Sequence, residues 1–88
     1  MKRYYFLLNR KYFRGNEYFE RNAILMMQGL IYGLCSIPCD TTLFDIELLG
    51  NFVIFVAECD EERAKKFMKS IERWHPGINE FIILNEES

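Results

Sequence analysis

The stretch TTLFDIELLGNFVIFVA, residues Thr41–Ala57, contains two strand patterns that meet at Gly50 and Asn51. Glycine and asparagine tolerate the positive φ angles of tight hairpin turns, so this pair predicts a two-residue loop between antiparallel strands. A loop of that length places Leu49 opposite Phe52 and thereby sets the register of the whole hairpin. The middle of the chain is therefore expected to form an antiparallel pair of strands.

The predicted register divides the hairpin into two faces. One face is wholly apolar and carries Phe44, Ile46, Leu48, Val53, Phe55 and Ala57. The other face carries Leu49, Phe52, Ile54 and Val56 beside Asp45 and Glu47. We expect the first face to lie against the core. The second resembles neither an ordinary solvated surface nor an active site.

The composition is that of one small domain, residues 1–88. Of the 88 residues 50% are hydrophobic, which is enough for a compact core, and the formal net charge of −2 does not favour nucleic acid or membrane. The charges are unevenly distributed: residues 1–21 carry six basic and two acidic side chains, whereas residues 22–62 carry seven acidic and no basic ones. Such polarity can order self-association, or it can be scattered over the folded surface.

The three cysteines, Cys35, Cys39 and Cys59, do not have the spacing of a zinc or redox site. We therefore expect free thiols in a reducing compartment and no bound metal. Residues 2–3 lead into an aromatic strand rather than a cleavage site, and the apolar run 23–35 is too short to span a bilayer. These features predict a cytoplasmic protein with no membrane partner.

The elements follow the order strand, helix, strand, strand, helix, strand. The first strand is predicted at Tyr4–Leu8, the helices begin after Asn16 and Asp60, and the last strand covers Glu80–Leu84. This order predicts the α+β class and a ferredoxin-like β-α-β-β-α-β sandwich, with a four-stranded antiparallel sheet and two helices on one face. The first strand and the strand that contains Phe52 are expected to be central.

The two predicted helices have different apolar patterns. The first is apolar around much of its circumference, which predicts burial on more than one side. Gly29 and Gly33 within it either allow close backbone approach or weaken the helix towards its end. The second helix has a single apolar stripe, composed of Ala64, Phe67, Met68, Ile71 and Trp74. Its expected ion pairs are Glu61–Lys65 and Glu62–Lys66.

With both helices on one side, the other face of the sheet is left apolar and uncovered. The residues expected to form an interface there are Phe52, Ile54 and Val56, with Leu49 at the periphery. An apolar patch of this kind favours a protein partner, and a homodimer needs only one self-complementary patch. A monomer with aromatic side chains folded over the sheet is the alternative.

The sequence contains no recognisable catalytic set. There is no glycine-rich phosphate loop, metal-ligand set or triad, so we expect no catalytic residue and no cofactor. His75 is the single histidine, and we expect it to be exposed or to interact with the end of the second helix. These observations favour a non-enzymatic protein.

Residues 10–16 combine basic and aromatic side chains before a helix N-terminus. The candidate contacts to an anion or to nucleic acid are Arg10, Lys11, Tyr12, Phe13 and Arg14. Two strands also resemble RNA-recognition motifs: Tyr5–Asn9 is similar to their shorter signature, and Phe52–Phe55 to half of the longer one. The resemblance implies base stacking on the sheet. Residues Leu48–Asn51 depart from the longer signature because they lack its basic and aromatic residues.

The sequence therefore favours a small protein-association or regulatory module that acts as a homodimer or assembly subunit through its apolar sheet face. One alternative is a nucleic-acid-binding module that uses the loop of residues 10–16. Another is a sensor that binds a small ligand in the cleft of a dimer.

Overall fold

The computed structural model describes residues 2–34, 40–46 and 50–86 of the chain. The strands are β1 (Lys2–Asn9), β2 (Asp40–Ile46), β3 (Gly50–Cys59) and β4 (Ile82–Glu86). The helices are α1 (Glu17–Leu34) and α2 (Glu61–Trp74), and two short 3-10 turns cover Arg10–Phe13 and Ile78–Phe81. The predicted order of strands and helices is confirmed.

The strands pair in the order β2-β3-β1-β4, and each neighbouring pair is antiparallel. The α+β class, with an antiparallel sheet and two helices, is confirmed, and the order is compatible with the ferredoxin-like pattern. As expected, β1 and β3 are the inner strands and β2 lies at an edge. Antiparallel neighbours of this kind can bury one face and leave the other open.

The predicted hairpin register is wrong. Phe44 lies opposite Phe52, whereas the two-residue loop would have placed it opposite Ala57, five positions away. Because side chains alternate between the two faces of a strand, an odd shift moves each β2 position to the other face. Phe44 and Ile46 are thus in register with the Phe52 side of the sheet, and Asp45 with the opposite side.

The predicted two-residue turn at Gly50 and Asn51 is wrong, because both residues belong to β3. Gly50 lies opposite Ile46 and Asn51 opposite Asp45, so both residues are paired with β2. The intervening residues 47–49, which include the predicted interface residue Leu49, lie outside the described residues. Apolar residues occur at both odd and even positions of the stretch, so alternation alone did not distinguish the two registers.

One face of the sheet forms the core together with both helices. Along β1, the side chains of Tyr4, Phe6 and Leu8 are buried. Strands β3 and β4, both helices and the two 3-10 turns also contribute to the core, through Val53, Phe55, Ala57, Cys59, Ala23, Met27, Ile31, Ala64, Phe67, Ile71, Ile82, Phe13 and Ile78. The rings of Phe6 and Phe67 meet edge to face, with centroids 4.6 Å apart, and join the sheet to α2.

Both helices begin at the predicted capping residues. The backbone N–H of Phe19 donates to Oδ1 of Asn16 at 2.9 Å, and the N–H of Arg63 donates to Oδ1 of Asp60 at 2.8 Å. Each bond satisfies a donor that has no partner within its helix. The predicted Glu61–Lys65 ion pair is also present, with Nζ and Oε1 3.4 Å apart.

Within the single chain α1 is buried on one side only, whereas the sequence predicted burial on more than one side. Ala23, Met27 and Ile31 are buried along one side, but Tyr18 and Tyr32 are 81% and 64% exposed. A two-layer domain covers a helix only on the side that faces the sheet. Trp74 is also 61% exposed, so it does not extend the buried stripe of α2 to the end of that helix.

Removal of the α2 cap should destabilise the fold. We expect Asp60→Ala to lower the free energy of unfolding by about 1 kcal/mol, because the N–H of Arg63 loses its acceptor. Asp60→Asn keeps a capping oxygen and should recover most of that loss. Urea denaturation of the three proteins measures the effect, and equal stability of Asp60→Ala and wild type would contradict the assigned cap.

Candidate functional site

The sheet face opposite the helices is apolar along a row that crosses three strands. Leu7 of β1 lies between Ile54 of β3 and Ile83 of β4, and the next row places Tyr5 opposite Val56. These five residues are called the open face below. The buried residues of both helices belong to the core on the other side of the sheet.

Exposure varies across the open face. Ile83 is 51% exposed, whereas Tyr5, Leu7, Ile54 and Val56 are half-buried. Half-buried apolar side chains in neighbouring rows form a continuous surface, and it is the continuity rather than any single residue that marks a candidate interface.

The structure places three of the four predicted interface residues on the same side of the sheet. Phe52, Ile54 and Val56 alternate along β3 with the buried Val53 and Phe55. Phe52, however, is only 8% exposed and has little surface left to offer a partner.

Sequence reasoning did not single out Leu7 and Ile83 as individual contributors to this face. Their alternation with buried neighbours on β1 and β4 is the signal that could have identified them, once the core side of each strand was known.

The basic and aromatic residues of the 10–16 segment are brought together, but most have structural contacts. Phe13 is 2% exposed, and Tyr12 packs against it and against Phe19 and Phe81 at centroid distances of 5.3–6.1 Å. Rings packed in this way do not present a free face for a base to stack on.

The basic side chains of this segment differ in their surroundings. Nη2 of Arg10 lies 2.9 Å from Oε1 of Glu20 on α1, so its charge is compensated within the chain. Lys11 and Arg14 are exposed, and Arg14 ends the 3-10 turn in the left-handed conformation with φ 50°. Two exposed basic residues are a small footprint for a phosphate backbone.

The prediction was that His75 is exposed or interacts with the end of α2, and the structure shows that it is buried at the end of α2. Its side chain is 9% exposed and meets the ring of Phe19 edge to face at 5.6 Å. Its backbone N–H donates to the carbonyl of Ile71 at 2.8 Å and closes the end of α2. Burial lowers the pKa of His75, because the charged imidazolium loses hydration.

The polar groups at the end of α2 form hydrogen bonds to the backbone of the connection to β4, and they do not form a reaction centre. The Glu72 carboxylate accepts the backbone N–H groups of Gly77 at 2.7 Å and of Asn79 at 3.1 Å, and Nδ2 of Asn79 donates to the Met68 carbonyl at 3.2 Å. Gly77 has φ 89°, which a residue with a side chain adopts only with strain. These bonds fix the connection from α2 to β4.

Two shallow clefts open on the described surface. One, of about 410 Å³, is lined by Arg10, Glu17, Glu20, Arg21, Ile24 and Leu25. The other, of about 360 Å³, is lined by Tyr12, Arg14, Phe19, Pro76, Gly77, Glu80 and Phe81. These lining residues include no serine, threonine, cysteine, lysine or histidine.

Neither a metal site nor a membrane span was found in the part of the chain that the structure describes. Residues 2–34, 40–46 and 50–86 contain no cluster of three or more potential metal-binding side chains. Within the same ranges, no helix is both long enough and apolar enough to cross a bilayer. Comparison of the chain with protein-family models, curated protein sequences and solved structures found no significant match.

The burial of His75 should make stability depend on pH. Because its folded pKa lies below that of the unfolded chain, near 6.5, the unfolded state binds the proton more tightly. The free energy of unfolding should therefore fall as the pH drops through and below about 6.5.

A substitution isolates this effect from the carboxylates, which titrate at lower pH. His75→Phe keeps a ring beside Phe19, and we expect its stability to change less than that of the wild type between about pH 7.5 and 5.5. Denaturation at the two pH values gives the comparison. Equal losses in the two proteins would show that His75 does not contribute.

Proposed function

We propose that the chain is a ferredoxin-like sandwich that works through protein association, as a homodimer or as a subunit of a larger regulatory assembly. The open face is the proposed contact surface. The observation that carries the proposal is the row of Ile54, Leu7 and Ile83, which joins three strands into one apolar surface outside the core.

The geometry of the open face suits pairing with an identical surface. The sheet is antiparallel, so two copies related by a two-fold axis can lay their rows of apolar side chains against one another. At the far end of β1, Arg3 lies opposite Glu58, which places one basic and one acidic residue together at the rim. An apolar centre with a polar rim is the usual anatomy of a protein interface.

Catalysis and nucleic-acid binding have less support. His75 is held in the core by packing, and the carboxylate of Glu72 is used by two backbone N–H groups. Within the basic segment, Phe13 is buried and Arg10 is paired with Glu20. A cytoplasmic location is part of the proposal and is supported by the odd number of cysteines, Cys35, Cys39 and Cys59, whose spacing does not indicate a set of disulfides.

A charge placed at the exposed edge of the open face should disrupt the assembly. Ile83 is 51% exposed, so Ile83→Glu should leave the fold intact while placing carboxylates of the two copies within the contact. We expect the molar mass in solution, measured by light scattering over a concentration series, to fall by at least half.

Trp74→Glu is the matched control, because Trp74 is 61% exposed and lies at the end of α2, away from the open face. Its molar mass should equal that of the wild type. The proposal fails if the wild type is monomeric, or if Ile83→Glu and the wild type have the same mass.

A further inference from the structure

The outward side of α1 carries large apolar side chains that the described chain leaves uncovered. Tyr18, Leu25 and Tyr32 are 81%, 60% and 64% exposed, and Met26 is 40% exposed. The first three follow one another at intervals of seven residues, so they line one side of the helix. These four residues are called the α1 stripe below.

Three residues of the α1 stripe, Leu25, Met26 and Tyr32, lie in an uncharged part of the sequence. Residues 22–34 contain no Asp, Glu, Lys, Arg or His, although 27% of the whole chain is charged. Tyr18 precedes this part, and the exposed Arg21 is a charged residue beside the stripe. An exposed helix face ordinarily carries more charged side chains, so a largely apolar one is typical of a contact surface.

Gly29 and Gly33 lie on the same side of α1 and are exposed. At each of them, no heavy atom of the described residues outside the local helix backbone lies within 4 Å of the position that a Cβ would occupy. Packing within the chain therefore does not require glycine, although glycine is less favourable than alanine inside a helix. Because glycine has no side chain, the helix surface is recessed at these two positions and can accommodate a side chain from another molecule.

We propose that a second copy of the chain covers the α1 stripe, with the two α1 helices antiparallel about a two-fold axis between Leu25 and Met26. Such an axis pairs position 18 with position 33 and position 22 with position 29. The bulky Tyr18 of each copy then packs on the recessed helix surface at Gly33 of the other copy. The large residue at one end and the small one at the other make the stripe complementary to itself.

The area of the α1 stripe reaches the lower limit for a stable dimer. With about 200 Å² for a fully exposed side chain of this size, the exposed fractions of Tyr18, Leu25, Met26 and Tyr32 correspond to roughly 490 Å² on each copy. Two copies would bury roughly 1,000 Å² before the flanking residues are counted, and a specific interface needs about that much. The antiparallel arrangement also sets opposite ends of the two helix dipoles side by side.

This contact is separate from the open face, because the core layer of α1 faces the sheet and the stripe faces away from it. The proposed contact through the open face and the proposed contact through the α1 stripe can therefore be tested independently. If both contacts form, each copy has two self-complementary surfaces on opposite sides, and assembly continues beyond a dimer.

The test uses Ile83→Glu as the background, so that contact through the open face is removed. We expect light scattering to show a wild type larger than a dimer and an Ile83→Glu variant that is a dimer, held by the α1 stripe. Addition of Leu25→Glu places two carboxylates beside the axis and should raise the dimer dissociation constant tenfold or more, since like charges across an interface cost several kcal/mol. Addition of Trp74→Glu, an equally exposed apolar position on α2, should leave the dimer unchanged.

The Gly29→Leu variant distinguishes close packing of the two α1 helices from non-specific hydrophobic association. The space at Gly29 accepts a side chain, and leucine favours helix, so the monomer should fold normally, as circular dichroism will show. A leucine adds apolar area and would strengthen non-specific association, but it should weaken the dimer tenfold or more if two helices approach closely here.

A monomeric Ile83→Glu variant would overturn the proposal, and the partner that covers the α1 stripe would then be a different protein. So would a dimer that Leu25→Glu does not weaken, or one that Gly29→Leu strengthens. None of these results depends on whether the open face also associates, because that is judged by the mass of Ile83→Glu relative to the wild type.

Discussion

The pairing of β1 with β3 is the contact on which the rest of the described structure depends. The two strands are paired over eight Cα positions, with Phe6 opposite Phe55 and both side chains fully buried. Because a strand alternates its side chains, this pairing decides which residues enter the core and which face outward. The helices then complete the core from one side, where Phe67 of α2 meets Phe6.

A two-layer domain built on that pair has two outer surfaces, and each includes a large apolar part in this chain. The outer surface of the sheet includes Leu7, Ile54 and Ile83, and the outer surface of α1 includes Tyr18 and Tyr32. In most small domains one or both of these surfaces would be covered with charge. Here the charges are concentrated elsewhere, for instance in α2, where Glu61 and Lys65 form an ion pair. The proposed association depends on this distribution.

The sequence predicted the class and order of elements well, but not the candidate surfaces in detail. The hairpin was assigned from a two-residue turn signal, and the register that forms instead places Gly50 and Asn51 within β3. Likewise, α1 is apolar on nearly all sides, so the pattern could not show that Leu25 would be exposed while Met27 is buried. His75 was misjudged because its position at a helix end does not reveal the contact with Phe19, which is distant in sequence.

What the sequence by itself determined is local. Asn16 and Asp60 start the two helices because each capping bond joins residues three positions apart and needs no tertiary contact. What only the tertiary structure decided is the register of β2 on β3 and the choice of which apolar side chains are buried. Those outcomes depend on residues far apart in the chain, and half of this chain is hydrophobic, so more than one arrangement satisfies the local pattern. The surplus of apolar residues that made the prediction ambiguous is also what remains on the surface of the folded domain.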